Sequence, residues 1–532
     1  MDRVLVADKL APEGMAVLRE AVEGGRLQVD ERTGMKPEEL QQAIGEYDAM
    51  IVRSTSTVTR DIIEHARRLR VIGRAGIGVD NIDVEAATRR GIAVMNTPGG
   101  NNVTTAEHAI SMLLALARAI PQATASMRAG KWEKSKFTGS EVCNKVLGIV
   151  GMGNIGRLVA ERALGLKMKV IAYDPFITEQ KGQQLGIELV SLEALLQRSD
   201  FVSLHTPLLP ETRHLIDASA LAKMKPTARL INCARGGIVD EMALAAALRE
   251  KRLAGAALDV FEEEPPPREH PLLQLDNVVS TPHLGAATAE AQVAVSIAIA
   301  EQIVDFLVNN VTRNAVNMPS ISAEQLEVLR PYLLLAERLG SLQAQLLEEA
   351  PKELTVEYAG EIAALDVQPV TVAVLKGLLG RLLETSVVNF VNARELARER
   401  GIKVVESRTS SPKGFTNSLT VRVRTSQKTS EVGGAVFGRD VIRLVRIDGF
   451  YLEAAPEGFI LMLNNRDVPG VVGAVGMLLG EAKINIAGLQ LGREKVGGMA
   501  LSLVQVDERI PPPVLDRLRK LPNIVSATML EL

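Results

Sequence analysis

The run KVLGIVGMGNIG, residues 145 to 156, limits the possible fold more than any other segment of this chain. Lys145 to Val150 reads as a short buried strand, after which three spaced glycines make a turn and a helix begins at once. Gly151 supplies the tight turn, Gly153 lets a pyrophosphate approach the backbone, and Gly156 lets the helix lie close to the sheet. The first turn of that helix, with Asn154, Ile155 and Arg157, offers unpaired N–H groups and partial positive charge to phosphates. The next strand, KVIAY, ends at Asp174, 18 residues beyond Gly156. A carboxylate there accepts a ribose 2′-hydroxyl and repels a 2′-phosphate. Pro175 and Phe176 follow where an arginine would serve that phosphate, so the expected cofactor is NAD rather than NADP.

A chain of 532 residues holds about three to four domains at roughly 150 residues each. A net charge of −3, with a pI near 6.2, gives no basic field for nucleic acid. Cys143 and Cys233 are the two cysteines; they make no disulfide framework, and no Cys/His cluster has metal-ligand spacing, so no metal is expected. The opening MDRVLVADKL carries acids and starts a strand at once, unlike a signal peptide. No uncharged apolar run approaches the roughly 18 residues of a membrane span. No membrane association is expected, and the expected location is the cytoplasm.

The expected fold class is α/β, with two doubly wound parallel-sheet units followed by an α+β unit and a ferredoxin-like module. From residue 1 to 97, the β-rich runs VLVA, AMIVRS, RVIGRAG and IAVMN alternate with helical stretches. A capping box at Thr104 and Glu107 and apolar residues at helical spacing predict one long linking helix as far as Pro121. Six strands follow, at 145–150, 169–173, 201–205, 228–233, 255–259 and 277–280, the number a dinucleotide-binding fold needs. A helix from Thr288 to about Asn309 returns the chain to its first unit, with the catalytic cleft between the two. The expected division is 1–97 plus 284–314 for substrate, 98–283 for NAD, an α+β unit at 319–452, and a βαββαβ module at 458–532.

Alcohol oxidation also needs a group to take the hydroxyl proton and a group to hold an anionic substrate. Of the six histidines, His283 in STPHLGAAT directly follows a strand end, where ligands gather in open α/β sheets. His65 and His270 read as surface residues, and His108 lies on the linking helix. His205, at the end of SLHTPL, is a weaker competitor that could line the cofactor site. Glu264 in VFEEEPPP is the best carboxylate partner for an imidazole, although three glutamates before three prolines equally describe a solvated loop. Arg235 in INCARGGIVD follows a strand and precedes two glycines, placing its guanidinium to fork onto a carboxylate. Asp259, ending GAALDV, could position the nicotinamide or the loop carrying Glu264. In GRAGIGVDN the backbone around Gly76 and Ile77 suits a carboxylate. Arg53 and Arg74, converging with Lys134 or Asn101, would suit a phosphate; scattered structural arginines are the alternative.

In order along the chain, GMGNIG, Asp174, ARGG around Arg235, Glu264 before Pro265, and PHLG around His283 resemble the D-isomer-specific 2-hydroxyacid dehydrogenases. VRSTSTVT, GRAGIGVDNID, MNTPGGNN, IPQATASMRAGKWEK and ALDVFEEEPP are similar to the long members of that family, which act on a phosphorylated hydroxy acid. The resemblance covers essentially the whole chain. It implies NAD-dependent oxidation of 3-phospho-D-glycerate to 3-phosphohydroxypyruvate, the first step of phosphorylated serine biosynthesis, with His283 as acid/base, Glu264 as its partner and Arg235 on the substrate. It further implies cofactor contacts at His205, Thr206, Pro207, Thr212, Cys233, Ala234, Asp259 and Gly285. Two positions depart from the pattern: Ile77 stands where a hydroxyl residue is common, and Lys134 where an arginine is, keeping the charge but losing the fork.

The α+β unit resembles the allosteric substrate-binding domain of the long members, and the last module resembles an ACT domain. ACT domains pair between chains, which implies L-serine as effector at Asn465, Asp467 and Asn485 and a homotetramer. Asn and Asp also favour turns and caps for their own sake. Two competing functions are a hydroxypyruvate or glyoxylate reductase and a non-catalytic dinucleotide-sensing corepressor. The arginine set and the C-terminal extension argue against the first, and Arg235, Glu264 and His283 together against the second.

Overall fold

The computed structural model describes residues 1–321, 323–383, 388–409, 415 and 417–532. The first sheet contains β1 (Asp2–Val6), β2 (Leu27–Glu31), β3 (Ala49–Val52), β4 (Val71–Arg74) and β5 (Ala93–Met95), all parallel, in the order β2-β1-β3-β4-β5. Four of these are the apolar runs of the sequence. The fifth, β2, is an edge strand of sequence LQVDE, half exposed, so it lacks the continuous apolar run that marks a buried parallel strand. α1 (Pro12–Glu23) starts with a proline whose missing N–H costs nothing there.

Next come two helices, α2 (Asn102–Arg118) and α3 (Ile120–Arg128). The single helix expected as far as Pro121 is in fact broken at Ala119, which adopts a left-handed φ of +50, and the two pieces bend by 63°. Nor is Thr104 the cap, because α2 begins two residues earlier at Asn102; its hydroxyl instead meets that of Thr288, 3.2 Å away.

The second sheet is also parallel. It comprises β6 (Val146–Val150), followed by α4 (Asn154–Gly165), then β7 (Lys169–Tyr173), β8 (Glu188–Leu189), β9 (Phe201–Leu204), β10 (Arg229–Asn232), β11 (Gly255–Leu258) and β12 (Val278–Ser280). The order β12-β11-β10-β9-β6-β7-β8 holds the six expected strands and one more, the two-residue edge β8, too short to leave a pattern. Because β6 lies between β7 and β9, the crossovers reverse there and open a crevice at the strands' carboxyl ends.

The chain then returns. α5 (Ala289–Val304), capped by Thr288, buries Val295, Ile299, Ala300 and Ile303 in the core of the first sheet. Each fully buried Ile contributes about 1.5–3 kcal/mol. Beyond it Ala315 bridges Met95, and the Asn317 amide bonds both Val94 N and Ile92 O. Among the described residues one helix, Ala289–Asn309, is long and apolar enough to cross a bilayer; in this fold its apolar face lies against the first sheet and α1.

α6 (Ala323–Leu346), β13 (Glu353–Gly360), α7 (Gln368–Leu382), β14 (Lys403–Thr409), β15 (Asn417–Arg424), β16 (Thr429–Phe437), β17 (Val441–Ile447) and β18 (Phe450–Ala454) form the α+β unit. Its mixed sheet runs β14-β13-β15-β16-β17-β18. α6 and α7 cross at Gly340 and Gly377, where a Cβ would collide with the backbone carbonyl of the facing helix. The last module is β19 (Phe459–Arg466), α8 (Val471–Glu481), β20 (Ile486–Arg493), β21 (Met499–Val506), α9 (Pro512–Arg519) and β22 (Ile524–Glu531). Its antiparallel order β20-β21-β19-β22 is the ferredoxin-like arrangement that the segment pattern predicts.

Candidate active site

A cleft of about 500 Å³ lies between the first two sheets. On the second-sheet side its lining includes Asn154 and Ile155 of α4, His205, Thr206 and Pro207 after β9, Cys233, Ala234 and Arg235 after β10, Asp259 after β11, and His283 and Gly285 after β12. The first-sheet side adds Arg74, Ile77 and Asn101. Strand ends are the reason for this gathering: parallel strands all point their carboxyl ends to one edge, where loops carry the polar groups.

The fingerprint turn is built for close approach. Gly151 has φ +94, and a Cβ on Gly156 would collide with the Gly151 carbonyl oxygen, whereas a Cβ on Gly153 would meet only open space. No side chain caps α4, so its first N–H groups stay free for an anion. Asp174 accepts the amides of Met152 at 2.7 Å and Phe176 at 2.8 Å, which ties β7 to the glycine turn and leaves carboxylate lone pairs for a ribose hydroxyl. The Thr206 hydroxyl is buried without a partner beside this space. These features fit NAD.

His283 Nδ1 lies 2.6 Å from Glu264 Oε2, so the acidic loop is not merely solvated. The Glu264 hydrogen bond, opposed by burial, raises the imidazole's affinity for a proton above the usual histidine range. Burial pushes the Glu264 carboxyl up, but the bonds from His283 and from Phe261 N outweigh it and hold it low. His283 has φ +53, a conformation unusual outside glycine. Asp259 fixes the loop around it by accepting Leu284 N at 2.7 Å, Gly285 N at 2.8 Å and the Thr281 hydroxyl at 2.6 Å. Its task is thus the His283 loop, not the Glu264 loop. His108 adds a contact of 3.2 Å to Asp259, and Thr105 donates to Gly285 O.

Other expectations change. His270 is not a surface residue: it pairs with the buried Glu241 at 2.9 Å and meets the Phe261 ring edge-on, and Glu241 also accepts Glu262 N. The 261–264 loop is therefore held from behind. His65 is exposed. Burial drives the His205 imidazole down to about 4, so it stays neutral near pH 7 and is ill suited to proton transfer there. Burial likewise pushes the Cys233 thiol up, away from reactive thiolate.

On the anion-binding side, Arg235 reaches Asp80 at 3.0 Å, a partner the sequence reading overlooked although it stands in the same GIGVDN loop. Arg74 is largely buried with Nε unpaired, and Asn101 Oδ1 is likewise without a partner. Burial and the neighbouring Arg235 charge weaken the hold of Arg74 on its proton, and Arg53 adds to that repulsion. Three cationic side chains thus stand close enough to interact. Gly76, at φ +153, accepts Thr97 N with its carbonyl at 2.9 Å, and Asn96 anchors Ile77 O. Lys134 stands exposed on the short turn Lys134–Phe137 and lines no part of this cleft. Thr212 closes its own loop onto Pro207 O and Leu209 N, and Arg157 folds back on Asn154; both side chains thus have partners within the chain.

In the last module Asn465 is buried and internally satisfied by Ser502 and Arg466 O. Asp467 accepts from Arg493 and Gly497 N, and Asn485 donates to Asp507. One chain does not bring these three together. Asp467 sits beside the start of β21 and Asn485 beside its end, about 24 Å away at about 3.4 Å per residue.

Residues 110–285 match the D-isomer specific 2-hydroxyacid dehydrogenase NAD binding domain, 328–448 the D-3-phosphoglycerate dehydrogenase intervening domain, and 459–523 the ACT domain. The chain is 44% identical to a D-3-phosphoglycerate dehydrogenase of Synechocystis sp. over all of its own length and 95% of that protein's. It is 43% identical to the enzyme of that name from Methanocaldococcus jannaschii over the full length of both. Among solved structures, the TT0316 protein of Thermus thermophilus matches 59% of this chain and 99% of its own, with 36% identity and a TM-score of 0.54. An NAD-dependent formate dehydrogenase from Staphylococcus aureus, solved in complex with NAD, matches 59% of this chain and 98% of its own, with 30% identity and a TM-score of 0.53. With its glycine turn, its His–Glu pair and its two C-terminal modules, this chain is an NAD-dependent oxidoreductase and belongs to the D-3-phosphoglycerate dehydrogenase family of D-isomer-specific 2-hydroxyacid dehydrogenases.

Proposed function

We propose that the chain oxidises 3-phospho-D-glycerate to 3-phosphohydroxypyruvate, the first step of phosphorylated serine biosynthesis. The observation that carries this reading is a proton acceptor, the His283–Glu264 pair, in one cleft with Arg235 and the buried, incompletely paired Arg74. Residues 1–97 with 284–314 form the substrate wall and 98–283 the NAD wall. Neutral His283 takes the C2 hydroxyl proton through Nε2, while Glu264 accepts its Nδ1–H and stabilises the imidazolium that forms. Arg235 forks onto the substrate carboxylate, and Arg74 balances the phosphate charge, with Arg53, whose Nη1 donates to Lys9 O, adding to the positive field. NAD, when bound, supplies the hydride acceptor for C2. In the reverse direction imidazolium His283 returns the proton.

Serine is the proposed effector. Asp467 and Asn485 stand at opposite ends of one module's sheet, so a site using both needs a second chain, in line with a homotetramer built partly through paired ACT modules.

The test follows NADH absorbance with phosphohydroxypyruvate, hydroxypyruvate and glyoxylate as substrates. The phosphorylated acid should be preferred, and His283→Ala should lower turnover by a factor of about 100 or more. Equal rates on the unphosphorylated acids would overturn the substrate assignment, and undiminished turnover would remove His283 from its role.

A further inference from the structure

The ion pair between Arg235 and Asp80 crosses the cleft, joining the loop after β10 to the loop after β4. Arg235 Nε lies 3.0 Å from Asp80 Oδ2, and its Nη1 donates to Ala234 O. The guanidinium face that a substrate carboxylate would use is therefore already occupied by a carboxylate of the chain itself. The pair lies directly over Gly78, where a Cβ would meet both Arg235 Nη2 and Asp80 Oδ2, so the two side chains rest close on the backbone of this loop.

Two further observations separate this pair from an incidental surface contact. Arg74 lines the same cleft, and the two guanidiniums repel each other while Asp80 attracts both. An empty cleft with two cations and no counter-ion would be electrostatically costly. Yet Asp80 is 71% exposed whereas Arg235 is 28% exposed, so the aspartate returns to water easily when released. Exposed pairs of this kind are weak, and the same loop's backbone is held independently by Asn96 at Ile77 O and Thr97 at Gly76 O. The side chain can leave without unfolding the loop.

We infer that Asp80 is a built-in counter-anion which the carboxylate of an incoming ligand displaces from Arg235, an exchange that selects for carboxylate-bearing ligands and sets their apparent affinity. Resting on the functional reading above, Asp80 is a specificity-determining residue. A ligand without a carboxylate leaves the Asp80 pair in place and gains nothing from Arg235. A carboxylate replaces one ion pair by another inside the cleft, losing only what the exposed Asp80 pair was worth.

Kinetics and binding test this with Asp80→Asn and Asp80→Glu. In Asp80→Asn, the KM for the oxo acid and the Kd of the NADH-loaded protein for oxalate, by calorimetry, should both fall about two- to fivefold, with the KM for NADH unchanged. Asp80→Glu, which keeps the charge, should return both toward wild type. A raised or unaltered oxalate Kd in Asp80→Asn would overturn the inference. Because oxalate is only a carboxylate probe, this arm decides even if phosphohydroxypyruvate proves not to be the substrate. A crystal structure of the wild-type protein with NADH and oxalate is the second arm: Arg235 should hold oxalate with Asp80 turned away, and Asp80 still on Arg235 would overturn the exchange.

Discussion

A single hydrogen bond, from the His283 ring to Glu264, sets how the site responds to pH. Because the folded-state affinity of His283 for its proton is raised, the charged pair is complete below the ordinary histidine range and is lost as pH rises through the raised value. Oxidation needs the neutral ring, so its kcat/KM should rise with pH through that raised value, while reduction, which needs imidazolium, should fall. Glu264→Gln removes the cause of the shift; rate profiles in both directions should move to lower pH, and a profile that stays put would dissociate Glu264 from His283. Asp259 works differently. Burial raises its carboxyl, but bonds from His108, Thr281 and the Leu284 amide win and hold it low, so its contribution is present above the ordinary carboxylate range and lost on acidification. Asp259→Asn leaves an amide acceptor short, and should lower stability to urea by about 1–3 kcal/mol along with kcat.

At the level of elements, two close approaches carry the site. Gly156→Ala would drive a methyl into the Gly151 carbonyl, a backbone atom that cannot swing aside, so NAD affinity should fall and stability drop by about 1–3 kcal/mol, measured by calorimetry and by denaturant titration. The second is the loop from Phe261 to Glu264. Glu241, at the start of the helix Glu241–Arg249, accepts the Glu262 amide with one carboxylate oxygen while His270 Nε2 lies 2.9 Å from the other. Sequence reasoning could see Glu264 but not this support, because Glu241 and His270 are ordinary helix-start and loop residues until the fold brings them together. The same limit explains Asp80. Buried parallel strands, the glycine turn and the βαββαβ order were legible because their signals are local. The edge strands β2 and β8 were not, having one face in solvent or only two residues. The break at Ala119 was invisible too, since alanine is an ordinary helix former and only the surrounding packing imposes its left-handed turn.

For the whole molecule, the separation of Asp467 and Asn485 makes a prediction about mixtures. Chains carrying Asp467→Ala alone, or Asn485→Ala alone, should each lose serine binding. Co-assembled, they should regain part of it, because one of the two sites between a mixed pair would receive both native side chains. If mixing restores nothing while both variants still assemble, the shared site is wrong.

The returning helix α5 carries a consequence for biosynthesis. Val295, Ile299 and Ile303 complete the core of a sheet whose last strand ends at Met95, so the amino-terminal unit has to wait for some 200 further residues to leave the ribosome. At about 5–20 residues per second that is a delay of roughly 10–40 s during which β4 and β5 lack their cover. The middle sheet, whose strands lie between Val146 and Ser280, can close first. Released chains truncated near residue 285 should therefore show a protease-resistant core that includes the helix Asn102–Arg118 and the middle sheet, attached to a cleavable amino-terminal arm, and chains extended beyond residue 350 should protect both.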